Sequence, residues 1–222
     1  YHKWKNLIHG FEPMAANQLW AADITYIMLN NGDVCYLHLI TDAYSRMIVG
    51  WELADTLRAS ITIKALEQAI SQTGGVSLEG LTHHSDRGVQ YCCDDYVRML
   101  QTHKIKISMT EDYNPTDNAI AERANGVIKT ETVYSRKTFN SLEHARNVIG
   151  RFIHFYNYRR PHMSIGYKIP AVVHTETGAQ KKMWKKKNYP KKAYNNGNNG
   201  ISLPCRTTGA DDGCNHHTVY SI

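Results

Sequence analysis

The sequence predicts an α/β domain, a mixed five-stranded sheet flanked by helices, followed by a C-terminal helical extension and a basic tail. Three observations carry this. Residues 19 to 53 hold three strand-like segments separated by turn residues. From Thr56 to Met109, amphipathic stretches of helix length alternate with two short apolar runs, and two further stretches with helical period follow. The resulting order, βββαβαβα, describes a mixed sheet covered by helices.

Leu19 to Leu29 reads as a strand with Trp20, Ala22, Ile24, Tyr26 and Met28 on one face and Asp23 and Thr25 on the other. Asn30-Asn31-Gly32-Asp33 is a hairpin turn, because Asn and Gly tolerate positive φ. Val34 to Thr41 and Met47 to Leu53 complete an antiparallel meander, with Asp42 and Arg46 fixing the turn around Tyr44-Ser45. Thr56 to Gln72 follows as a helix carrying Ile61, Ile63, Ala65, Leu66, Ala69 and Ile70, and Gly74-Gly75 stops it. Leu81 to His84 is a short strand that delivers Asp86, and Gly88 lets the chain turn at once. A helix over Asp94 to His103 leads to a strand over Ile105 to Met109.

A turn at Asn114-Pro115 and an N-cap at Asp117 introduce the next helix, whose apolar stripe is Ala119, Ile120, Ala121, Ala124, Val127 and Ile128. Glu122 and Lys129 lie seven residues apart, two turns along nearly the same face. Leu142 to Tyr158 is a further amphipathic helix, with Ala145, Val148, Ile149, Phe152, Phe155 and Tyr156, that ends before Pro161. Gly166 to Gly178 is a short segment, and from Gln180 the composition shifts to Lys, Asn and Gly. Residues 1–17 are expected to be a lead-in segment, 18–170 the core, and 171–222 the extension and a disordered tail.

The formal net charge of +6 suggests a nucleic-acid binder, but the charge is unevenly placed. Residues 181–222 carry seven lysines and Arg206 against Asp211 and Asp212, so residues 1–180 balance at 18 basic and 18 acidic groups. What survives is local: Arg123, Lys129, Arg136, Lys137, Arg146, Arg151, Arg159 and Arg160 outnumber Glu122, Glu131 and Glu143 by five. The five cysteines form no C-x-x-C pair, which argues against a disulfide framework. The late group Cys205, Cys214, His216 and His217 matches no standard zinc spacing, nor do His83, His84 and His103. No apolar run is long enough to span a membrane, so a cytoplasmic location is expected. A chain beginning at Tyr1 reads as a fragment.

Three acids stand in informative contexts: Asp23 in L-W-A-A-D-I-T-Y-I, Asp86 in L-T-H-H-S-D-R-G-V-Q-Y, and Glu122 in D-N-A-I-A-E-R-A-N-G-V-I-K-T-E. Thirty-five residues separate Asp86 from Glu122. The set resembles the D, D(35)E core shared by retroviral integrases and insertion-sequence transposases. With D-A-Y-S-R-M-I-V-G-W and Y-N-Y-R-R-P-H, it is similar to the OrfB-type transposases of two-frame insertion sequences, from about Trp20 to Pro170. The element order likewise resembles the ribonuclease H-like fold. There the first acid sits on the central strand, the second just past the fourth strand and the third on the helix after the fifth.

The resemblance implies that Asp23, Asp86 and Glu122 are catalytic and hold two divalent ions, Mg²⁺ or Mn²⁺, with Asp23 bridging both. Oxygen donors suit those ions, and two metals can activate a nucleophile and stabilise a leaving oxygen on opposite sides of phosphorus. Lys129 would contact a phosphate near the scissile bond, with Arg123, Arg159 and Arg160 as further DNA contacts, although the last two with His162 also suit a brace for the final helix. His84 and Asn118 flank the acids and would orient them. Taken singly, Asp23 also reads as a hydrogen-bonded core acid, Asp86 as a turn former and Glu122 as an exposed helix residue. The implied function is metal-dependent cleavage and strand transfer at transposon ends. The implied partners are transposon and target DNA, an OrfA helix-turn-helix segment and further copies of the chain, near the bacterial nucleoid. The rivals are a hydrolysis-only ribonuclease H-like nuclease and a non-catalytic DNA-binding derivative.

Overall fold

In the computed structural model, residues 4–111, 118–133 and 139–180 are described. The expected turn at Asn114-Pro115, the cap at Asp117, Arg136, Lys137, the late Cys-His group and the basic tail lie outside them. The described residues belong to one compact unit.

Five strands form one sheet in the order β3-β2-β1-β4-β5: β1 (Leu19–Met28), β2 (Val34–Asp42), β3 (Ile48–Ala54), β4 (Thr82–Ser85) and β5 (Lys106–Met109). β1 pairs antiparallel with β2, and β2 with β3, which is the expected meander. β4 and β5 add in parallel on the other side of β1. The strand carrying Asp23 is therefore central. Gly32, at φ +88°, makes the hairpin turn, and its N–H donates to the Leu29 carbonyl at 3.1 Å.

Helices cover both faces: α1 (Ala59–Gln72) and α2 (Asp94–Thr102) on one, α3 (Ala119–Ile128) and α4 (Leu142–Tyr158) on the other. The first layer buries Trp20, Ala22, Ile40, Leu66, Tyr96 and Leu100. The second buries Ile27, Leu37, Leu39, Ile128, Ile149 and Ile153. Each fully buried Leu or Ile contributes roughly 1.5–3 kcal/mol. α1 packs so close to β3 that a Cβ on Gly50 would collide with the Ala65 carbonyl. No larger residue fits there without parting helix from sheet.

Three expectations are corrected. Tyr26 and Met28 alternate with Trp20 and Ala22 but are 60% and 44% exposed. β4 pairs with β1 only over Leu19 to Ala21, so the far end of β1 outruns the layer that covers its start. The first helix begins at Ala59, three residues later than Thr56, because Arg58 is extended at φ −61°, ψ 141°. On α4, Phe155 faces out at 44% exposure while Ile153 is buried.

Residues 7 to 18 run along the compact unit and are fastened at its end: Gly178 N–H donates to the Met14 carbonyl at 2.7 Å beside an Ala15–Thr177 bridge. After Pro161 the chain makes a 3-10 turn (Met163–Ile165) and a short helix α5 (Pro170–Val173). Among the described residues, no helix is long and apolar enough to cross a membrane.

Candidate active site

Asp23 sits midway along the central strand, opposite Leu39 of β2. Burial pushes its carboxyl up to about 6; Asn125 pulls it down, while Asp86 and Glu122 push it further up by repulsion. The three acids far apart in sequence therefore act on one another. Asp86 follows β4 directly, on the exposed rim, and Glu122 lies in the first turn of α3. Parallel pairing of β4 with β1 carries Asp86 to the rim beside Asp23, and α3 reaches Asp23 through Asn125.

The Asp86 loop is tight. Its Oδ1 accepts the Gly88 N–H at 2.9 Å, and a Cβ on Gly88 would lie 2.9 Å from that oxygen. Only glycine leaves the carboxylate room. Buried Tyr91 lies in the field of both Asp23 and Asp86, which, after burial and Tyr96, helps hold its hydroxyl protonated. A groove of about 240 Å³ opens beside Asp86, between Thr25, Tyr26, Tyr36, Leu57, Gln90 and Tyr91.

α3 continues past Ile128 as a π-helical turn, Lys129–Val133. Lys129 lies with its ammonium 4.1 Å from the centre of the Tyr26 ring. Partial burial lowers its pKa while Asp23 raises it, so the cation is in the field of the central acid.

Sequence reasoning missed Asn125. Its Nδ2 donates to Asp23 Oδ2 at 2.7 Å, and its Oδ1 is buried without a hydrogen-bond partner. The available signal was its position three residues after Glu122, a polar side chain between buried Ala121, Ala124 and Ile128. Asn118 behaves differently from a plain helix cap: its side chain makes no cap bond, and Nδ2 donates instead to the Ala22 carbonyl at 3.0 Å. This ties the start of α3 to the residue before Asp23, and leaves Asn118 Oδ1 buried and unpartnered too. His84 is fully buried, with Nδ1 bonded to Ser108 Oγ at 2.8 Å across β4 and β5. His83 is also internal, 2.9 Å from the Tyr96 hydroxyl and held neutral by burial at about 3.

The basic residues divide. Arg160 makes a bidentate pair with Glu131 of the π-helical turn, Nε lying 3.1 and 3.2 Å from its two oxygens. Asn157 fastens α4 to β3 through both backbone groups of Ile48, at 2.9 and 2.8 Å. His162 packs edge-on against Tyr156 at 4.3 Å, and burial, then Arg160, lower its pKa to about 4. The Y-N-Y-R-R-P-H motif is thus a brace, with Arg159 exposed at the C-terminus of α4. Arg123 points away from the acids, into a cavity between α3 and the end of α4.

Carboxylate oxygens suit a hard divalent ion and its waters, and Asp23 lies in the electrostatic field of Asp86 and Glu122. Among the described residues, no three acidic, His or Cys side chains close into a ready-made metal cage.

The chain matches the Integrase core domain family over residues 13–115, and a second model of the same description over residues 103–170. It is 36% identical over 174 residues to a putative transposase for insertion sequence element IS986/IS6110 of Mycobacterium tuberculosis, covering 77% of this chain and 62% of the relative. It is 32% identical over 155 residues to the transposase for insertion sequence element IS629 of Shigella sonnei, covering 70% and 51%. The chain thus spans about three fifths or less of the length of these relatives. In fold it is similar to the HTLV-2 integrase catalytic core domain, solved in complex with magnesium, at a TM-score of 0.58 and 20% identity over 73% of this chain and 99% of that one. A chain of the simian T-cell lymphotropic virus intasome gives a TM-score of 0.63 at 19% identity, covering 84% and 66%. The fold is that of the ribonuclease H-like integrase cores, the chain belongs to the integrase-core family by the two models that together match residues 13–170, and it is similar to insertion-sequence transposases.

Proposed function

We propose that this chain is the catalytic part of a DNA transposase, cutting a transposon end and joining it to a new site. The observation that carries the reading is Asp23, held on the central strand in the combined field of Asp86 and Glu122. Asp23, Asp86 and Glu122 would hold the divalent ions, Mg²⁺ or Mn²⁺, through their carboxylate oxygens. When bound, such ions supply an activated oxygen nucleophile and stabilise the departing oxygen.

The chain's residues do the rest. Asn125 orients one Asp23 oxygen. Asn118 fixes the start of α3 against β1, and so the reach of Glu122. Lys129 presents a cation beside Asp23 where a phosphate oxygen gathers charge. In cleavage, a water oxygen bonds to phosphorus as the P–O3′ bond breaks and the 3′ oxygen leaves as hydroxyl. In joining, that hydroxyl attacks a second phosphodiester, one P–O bond replacing another with no external energy source. Arg160 acts chiefly as a brace on Glu131, and Arg159, exposed at the end of α4, would be a DNA backbone contact.

Transposon and target DNA are the proposed partners, with an OrfA-type helix-turn-helix segment supplying end recognition and further copies of the chain assembling on DNA. Such an assembly would work at the bacterial nucleoid. The test incubates the protein with short duplexes ending in candidate inverted repeats and Mn²⁺. Joined strands are expected, and Asp86→Asn should abolish them while the far-UV spectrum stays unchanged. Nicked strands without joined ones would leave a hydrolytic nuclease, and joining by Asp86→Asn would refute the site.

A further inference from the structure

α3 turns two faces to two different places. At 100° per residue, Glu122, Asn125 and Lys129 share one face, while Ile120, Arg123 and Val127 lie on the opposite one. That second face forms one wall of a cavity of about 510 Å³, whose other wall is the end of α4 and the turn after it. The volume is within the roughly 300–1,000 Å³ typical of sites for small organic ligands.

Its lining has a distinct chemistry. Three guanidinium groups, Arg46, Arg123 and Arg160, reach it, and no acidic side chain lines it. Arg160 is committed to Glu131, and Arg46 to the Ala43 carbonyl at 2.6 Å. Arg123 has no hydrogen bond or ion pair with a described residue, so its charge is available to an anion. The rest of the wall is largely apolar, and at its mouth Tyr167 is 58% exposed with φ +60°, a costly backbone state for a ring-bearing residue. An exposed ring beside a free guanidinium suits a ligand with both a flat face and a phosphate.

We propose that this cavity is a nucleotide pocket: it takes one unpaired nucleotide of a bound DNA strand, the phosphate on Arg123 and the base against Tyr167 and the apolar wall. The inference rests on the DNA-processing reading above. A strand leaving the acids and crossing α3 would cover its width of about 10–12 Å in about three nucleotides. A cavity of about 510 Å³ with a largely apolar wall suits a single base. The pocket would hold the displaced end of a strand while its partner occupies the acids.

The test measures fluorescence anisotropy of the 222-residue chain with labelled duplexes, without divalent ion. Ends are flush, carry a three-nucleotide extension on the 5′ or the 3′ strand, or carry the same extension with abasic sugars. An extension on one strand should tighten binding about tenfold over the flush end, on the scale of one stacked base. The abasic extension, and Tyr167→Ala with the normal extension, should lose most of that ratio; Arg123→Gln should reduce it. The ratio is read within each variant, so a general loss of folding or duplex affinity cancels. Equal binding of flush and extended ends, or a full ratio in Tyr167→Ala, would overturn the pocket. Strand joining in Mn²⁺ is scored separately: joining without an extension preference sinks this inference alone, and preference without joining sinks the catalytic reading alone.

Discussion

Asp23 and Asp42 stand on neighbouring strands of one sheet and are solvated by the protein in opposite ways. Asp42, fully buried, accepts the N–H groups of Asn17, Tyr44 and Ser45 and the Ser45 hydroxyl, at 2.8 to 3.1 Å. Those donors replace the water it lost and lock the turn before β3. Asp23 has Asn125 and the Ile24 backbone, against two further carboxylates. A buried acid with a full set of donors is a structural part, whereas one left under-solvated among like charges is prepared for a cation.

The sharpest break of this comparison is to neutralise each acid in turn. Asp23→Asn should reduce Mn²⁺-dependent strand joining by about a thousandfold or more, the several kcal/mol that metal-borne charge stabilisation supplies. Its melting temperature should not fall. Asp42→Ala should do the reverse, costing about 3–5 kcal/mol of stability in urea titrations by stranding buried donors. If both variants lose only stability, the distinction between the two acids is wrong.

A second contrast is in pH. The folded pKa of Asp23 is raised from 3.8 to about 6, so the native state holds its proton more tightly than the unfolded chain. Its stabilising contribution is complete below pH 3.8 and is lost as pH rises through about 6. In metal-free protein, Asp23→Asn should therefore gain on the wild type between those values, by on the order of 2 kcal/mol after solvent screening. Buried neutral His38, His83 and His162, at about 4, 3 and 4, act oppositely. They lose stability as pH falls below about 6.5, equally in both proteins, so the difference between the two melting curves isolates Asp23.

The smallest of these effects is the most local. Asn125→Ala removes the donor that orients Asp23. The Mn²⁺ concentration for half-maximal joining should rise by about 10- to 100-fold, as when other groups that position metal ligands are removed. An unchanged concentration with a lower maximal rate would give Asn125 a different role.

Much of this arrangement was legible beforehand. The order of elements and the limits of Leu142–Tyr158 follow from periodicity, and alternation placed Asp23 opposite the Trp20 face. Asn125 was not legible, because a polar residue on an apolar stripe looks the same whether it faces water or a buried acid. Nor does composition say which guanidinium is already engaged: Arg160 and Arg123 have equal charge, but only the first has a carboxylate partner among the described residues. Exposure of Tyr26 depends on where β4 stops pairing, a long-range property that alternation along one strand does not contain.

The claim that the three acids share a divalent site is tested most directly by calorimetric titration of Mn²⁺ into the wild type and into Asp23→Asn, Asp86→Asn and Glu122→Gln at pH 8. Saturable binding in the wild type, weakened by every substitution and most by Asp23→Asn, is the result predicted. Binding that survives all three substitutions unchanged, or no binding in the wild type with target DNA present, would contradict it.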